Sequence, residues 1–260
     1  MEDVPLEDFK KEVSVVATQN EELLLQEYKR KMGTAIEIMT RQLLPNNNWQ
    51  ILEDPTKQLK VALFSLHDPM TPYFTLKAVA VVQGRASRYH HVAKDHEPYT
   101  RMPWDKDNVC HVRQMETYHA DEGEIVVVES TWLSRNPRIF CNRHALGIMS
   151  HHHDPLQKTY SLYFVTAKHS HFQSPPKDAS SVVAVDASCC MILRELQNEM
   201  TEMTLMVRVD PKISNVVPTL FLKNHMEELR KRVLLYEFVV KNWHTFYGPD
   251  KDPKKVENRR

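Results

Sequence analysis

From Trp49 onward the sequence breaks into short apolar runs, each stopped by proline or polar turn residues. "LKVALFSL" ends at Asp68-Pro69, and "YFTLKAVAVVQG" ends at Gly84. "NVCHVRQMETYHADEG" and "EIVVVESTWLS" read as a hairpin about Asp121, Glu122 and Gly123. "RIFCNRHALGIM" and "KTYSLYFVTAKHS" flank "SHHHDPLQ" as a second hairpin, and "SVVAVDASCCMILREL" and "TLMVRVDP" complete the series. Strand-length runs joined by short polar turns pair antiparallel, because parallel neighbours need long crossovers. Glycine is scarce: there are 5 in 260 residues, where average usage would give about 18. Asp-Pro at 54, 68, 154 and 210 does the turn work instead, since Asp binds its own backbone and Pro fixes φ.

A sheet of this kind must cover its apolar face. Residues 6–44 carry Leu25, Tyr28, Met32, Ile36, Met39 and Leu43 at steps of 3 or 4, one stripe of a helix that Pro45 and three asparagines stop. The stripe is too short for a coiled coil and predicts packing on the rest of the chain. A weaker helical pattern spans about 85–100. The longest cover is near the C-terminus, where Leu222, Met226, Leu229, Val233, Tyr236, Val240 and Trp243 form a stripe that starts just after Pro218. The expected organisation is one α+β domain: a helical segment (1–44) packed on a sheet domain (45–247), then a polar, disordered tail (248–260).

Composition closes several routes. Basic and acidic side chains balance at 34 each, so no bulk attraction to nucleic acid is expected. "ELRKRV" (228–233) reads as a solvated helix face. No P-loop or GxGxxG occurs. Cys110, Cys141, Cys189 and Cys190 fit neither a zinc pair nor CxxC and read as reduced thiols, with Cys189 and Cys190 on opposite strand faces. The acidic start lacks a signal-peptide core and no run approaches 18 apolar residues, so a soluble cytoplasmic protein is expected.

Several stretches together are similar to the START family, the lipid-transfer domains of the helix-grip fold. They are Trp49 before the first strand; "SRYHHVAKDHEPYTRMPWD", a short helix followed by an Arg-x-x-Trp-Asp turn (Arg101, Trp104, Asp105); "NPRIFCNRHALG", in which Pro137, Arg138 and Phe140 match the family's Pro-Arg-Asp-Phe strand; and "VDPKISNVVPTLFLKNHMEEL" before the closing helix. The likeness covers roughly 48–243. Ile139 stands where the family has aspartate, and the Ser-Gly-Trp of the late strand is absent. The resemblance implies a curved antiparallel sheet wrapped around the long C-terminal helix. It gives Trp104 the role of a plug and Asp105 that of a backbone cap, an architectural pair.

The resemblance also implies a non-catalytic protein that binds, and transfers between membranes, a sterol, phospholipid or sphingolipid in an apolar cavity under that helix. The implied partners are the lipid and, transiently, a membrane surface, with the protein a monomer and no cofactor or metal. The expected lining is Phe140, Met191, Met203, Leu222, Met226, Leu229 and Val233, where flexible thioethers suit irregular ligands. The family pairs an arginine with an acid across the cavity. Here Glu129 with Arg143 or His144 stands near those positions and is expected to anchor the polar end. The rivals are a scaffold that has lost its ligand, an enzyme using Glu129, His144 and Asp186, and a zinc site at "SHHHD" or at His169 and His171.

Overall fold

The computed structural model describes residues 6–45, 47–53, 60–67, 74–120, 123–133, 142–168, 182–184, 186–210 and 218–248. The side chains of residues 6–20, 53, 67, 120, 182–184 and 218–224 lie outside what it describes. Helix α1 (Leu6–Leu43) leads to the short strand β1 (Gln50–Glu53). The Asn47 side-chain amide donates to the carbonyls of Arg41 (2.6 Å) and Gln42 (2.8 Å), so the helix ends with its last carbonyls satisfied. The Trp49 indole N–H also donates to the Gln42 carbonyl, at 2.9 Å.

Then come β2 (Val61–His67), β3 (Phe74–Gln83), α2 (Ala86–Lys94), α3 (Pro98–Asp105), β4 (Val109–Ala120) and β5 (Gly123–Trp132). They are followed by β6 (Asn142–Asp154), β7 (Thr159–Thr166), β8 (Val182–Ala184), β9 (Asp186–Glu195), β10 (Met200–Asp210), α4 (Pro218–Lys241) and α5 (Trp243–Phe246). Among the described residues the strands form one sheet in the order β1-β2-β3-β10-β9-β7-β6-β5-β4, antiparallel throughout, with β8 parallel to β6.

Alternation along the strands gives this sheet two apolar faces. The inner face, with Leu76, Ala78, Ala80 and Val82 of β3 and Met191 and Leu193 of β9, packs against Leu229, Val233, Tyr236, Val240 and Trp243. The outer face, with Ile125, Val127, Ile148, Tyr163, Val165, Cys190 and Met206, packs against Tyr28, Met32, Ala35 and Met39 of α1. The sheet therefore lies between two helical layers, which explains why its middle strands read as unbroken apolar runs. Each large side chain buried in this way contributes roughly 1.5–3 kcal/mol. That is enough to hold the C-terminal half of α1 on the sheet.

Three local expectations change. The Arg101–Asp105 stretch is a second short helix (α3), where a turn was expected. "HHH" at 151–153 belongs to strand β6, and the hairpin turn begins only at Pro155. There the Asp154 carboxylate accepts the N–H groups of Leu156 (2.9 Å) and Gln157 (3.0 Å). "SVVAVDASCCMILREL" supplies two strands, one with a parallel neighbour and one antiparallel.

Scarce glycine leaves its mark on the turns. Lys158, Asn198 and Glu199 adopt positive φ (51°, 58° and 54°), a conformation that costs a residue with a Cβ roughly 1–2 kcal/mol. Where backbone and helix come closest, glycine is kept. A Cβ on Gly84 (φ +126°) would sit 2.5 Å from the Val240 side chain.

Candidate functional site

The apolar residues expected to line a site are brought together where described. Met191 (2% exposed) and Met203 (0%) face inward from β9 and β10 and join one cluster with Leu229 and Val233 of α4. Met226 packs on the same cluster from the preceding turn of the helix. Short side chains pave the inner face around them: Ala78, Ala80, Ala145 and Ala187. Phe140 and the Leu222 side chain lie outside the described residues, as do Pro137 and Arg138.

The acid expected inside stands on the other face. Glu129 alternates with Val126 and Val128, so it shares the outer face with Ile125 and Val127. Its carboxylate takes Arg113 Nη2 at 2.9 Å, His111 Nε2 at 3.1 Å and His144 Nε2 at 3.5 Å. The Glu129–His144 contact thus forms, but with the whole sheet between it and α4. Thr131 Oγ1 holds the other nitrogen of His144 at 3.0 Å, and burial pushes this imidazole down despite the facing carboxylate. Arg143 follows the opposite alternation and shares a face with Trp132, which packs on the inner cluster.

The charged group on the α4 side is Asp105, 0% exposed. Burial alone would push its carboxyl up, but Arg232 and Arg101 outweigh burial and hold it below the usual carboxylate range. Arg232 of α4 donates from Nη1 to both oxygens, at 2.8 and 2.7 Å. Arg101 Nε donates at 3.0 Å and the Asn108 amide at 3.0 Å. The expectation of a backbone cap is therefore corrected: Asp105 takes side-chain donors and ties α3 to α4. Beside it Trp104 meets Tyr236 edge-on, with ring centroids 6.2 Å apart. Arg232 also corrects the solvated reading of "ELRKRV". It shares a helix face with Leu229, Val233 and Tyr236, a phase that the apolar stripe already fixed.

The rival chemistries acquire little geometry. Asp186 accepts the Thr166 hydroxyl at 2.6 Å. Among the described residues no group of three or more His, Cys, Asp or Glu is placed to hold a metal ion, and His169 and His171 lie outside them. Cys110, Cys189 and Cys190 are free thiols, with Cys189 on the inner face and Cys190 on the outer. No described helix is long and apolar enough to cross a membrane.

No family model and no curated protein matches the chain. Solved structures do match in fold. Human StAR-related lipid transfer protein 5 superposes with a TM-score of 0.68 at 16% identity, over 84% of this chain and 99% of that one. Human STARD10 gives 0.65 at 16% identity, over 85% and 86%. The lipid transfer and protein localization domain of human StarD13 gives 0.57 at 13% identity, over 79% and 94%. The chain has the helix-grip fold of these START domains.

Proposed function

From the fold it shares with START domains, we propose that this chain binds a lipid between the inner sheet face and α4 and carries it between membranes without chemical change. The observation that carries the reading is the composition of that interior. Met191, Met203, Leu229 and Val233 meet there over a floor of alanines. Such a surface is non-directional and adaptable, as an acyl chain or sterol ring requires. Met226, Leu222 and Phe140 extend the proposed lining, and Arg143 remains its candidate charge; Glu129 and His144, on the outer face, do not belong to it. Helix α4 is the lid, with the Asp105–Arg232 pair as its fastening.

The protein acts as a monomer that touches the bilayer briefly. Leu234 (41% exposed) and Phe238 (54%) project from the solvent side of α4 and support that contact. Fluorescence transfer of pyrene-labelled lipids from donor to acceptor vesicles tests the proposal. Catalytic amounts of protein should accelerate transfer of at least one of sterol, phosphatidylcholine or ceramide. Lipid held but never delivered would favour a sensor or scaffold.

A further inference from the structure

A second polar feature of the inner layer, distinct from the Asp105 network, involves helix α2. Ala86, His90 and Ala93 lie on one buried face of α2, and His151 follows Ala145 and Met149 on the inward face of β6. The rings of His90 and His151 lie 5.3 Å apart between centroids. Tyr160 of β7 is 5.2 Å from His90, and His153 stacks on Tyr160 at 4.1 Å. His90 is 8% exposed and its Nε2 has no hydrogen-bond partner; His151 Nδ1 is likewise buried and unpartnered. Buried polar atoms left without a partner are rare in native proteins and call for one, an ordered water or a guest.

The chemistry of the pair defines that guest. Burial, reinforced by Lys94, pushes the His90 imidazole down to about 3, and the same causes lower His151. Both rings are then neutral near pH 7, and a neutral imidazole offers one N–H and one lone pair. A hydroxyl is at once one donor and an acceptor, so it satisfies two such rings together. A carboxylate or phosphate has no proton to give and would bring charge into a site that already disfavours it. Resting on the lipid-binding reading above, we infer that His90 and His151 hold the hydroxyl group of the bound lipid, one ring donating and the other accepting. This makes them specificity-determining residues for a lipid alcohol, whether sterol or diacylglycerol.

The test compares dehydroergosterol and a pyrene-labelled diacylglycerol, each beside its O-methyl ether, taken up from phosphatidylcholine vesicles. The wild-type protein should prefer at least one alcohol over its ether by about tenfold, the scale of one buried hydrogen bond. The identity of that alcohol distinguishes the two sources. In the His90→Leu/His151→Leu variant the preference should fall to about twofold or less, with the melting temperature unchanged or higher, because no protein hydrogen bond is lost. His90→Gln, which keeps a donor and an acceptor, should retain part of the preference. Equal binding of alcohol and ether, a preference that survives in the double variant, or stronger uptake of a pyrenyl fatty acid would overturn the inference. Uptake of labelled phosphatidylcholine alone would overturn it while leaving lipid binding intact, and uptake of none of these probes nor of labelled ceramide would overturn both.

Discussion

Asp105→Ala tests the joint between α3 and α4. The carboxylate is fully buried and receives Arg232 through two bonds, Arg101 through one and Asn108 through another. Truncation leaves two guanidiniums facing each other in a site whose side chains are 8% and 19% exposed. Removing one partner from a buried pair costs about 3–5 kcal/mol, largely because the remaining charge is uncompensated. A domain of this size holds about 5–15 kcal/mol in all, so the loss is a large share of its stability. At about 2–4 °C per kcal/mol the melting temperature should fall by roughly 6–20 °C. Chemical denaturation of Asp105→Ala, Arg232→Ala and the double variant measures the coupling between the two residues. The double variant should be less destabilised than the sum of the single ones, because it removes a charge together with its partner. A loss below about 1 kcal/mol, or strict additivity, would refute the reasoning.

Further outcomes follow from the same structure. Arg232→Ala should speed lipid exchange in the vesicle assay by loosening α4, and an unchanged rate would separate this pair from the lid. Gly147→Ala should cost at least about 2 kcal/mol in urea titration, because the new Cβ would lie 2.4 Å from the Val165 carbonyl oxygen and 2.6 Å from the Phe164 ring. Lys158→Gly should stabilise by up to about 1 kcal/mol by relieving its positive φ, read as a rise in the denaturation midpoint. His90 titrates lower in the folded chain, at about 3, than the unfolded value near 6.5. Its contribution is therefore complete above about pH 6.5 and is lost as the pH falls below that, by up to about 1.4 kcal/mol per pH unit. Melting curves of His90→Leu between pH 7 and 5 should show a correspondingly weaker acid dependence.

The elements legible in the sequence were those with a self-contained period. The stripe from Leu229 to Val240 fixed the buried face of α4, and Tyr28, Met32 and Met39 fixed that of α1. Strand facing was harder to read. Residues 125–128 are four consecutive buried apolar residues because both sheet faces are covered, so alternation had no polar side to anchor its phase. The sequence alone therefore leaves the face of Glu129 open, and the structure places it on the outer one. The histidines of "SHHHD" looked like a turn because polar residues usually mark one; the short Asp154 turn begins just after them. Arg232 and His90 were within reach. Each sits at a buried phase of its own helix, and a charge or imidazole there calls for a partner. Where that partner would come from, as Asp105 of another helix does for Arg232, is a matter of tertiary placement that no local pattern carries.

The most direct test of the whole account is native mass spectrometry of the protein after incubation with vesicles of mixed sterol, diacylglycerol, ceramide and phospholipid. One lipid molecule per polypeptide, identified by dissociation and lost when Val233 is replaced by Trp to crowd the interior beneath α4, is the predicted result. A polypeptide that stays at its bare mass with every lipid offered would contradict it.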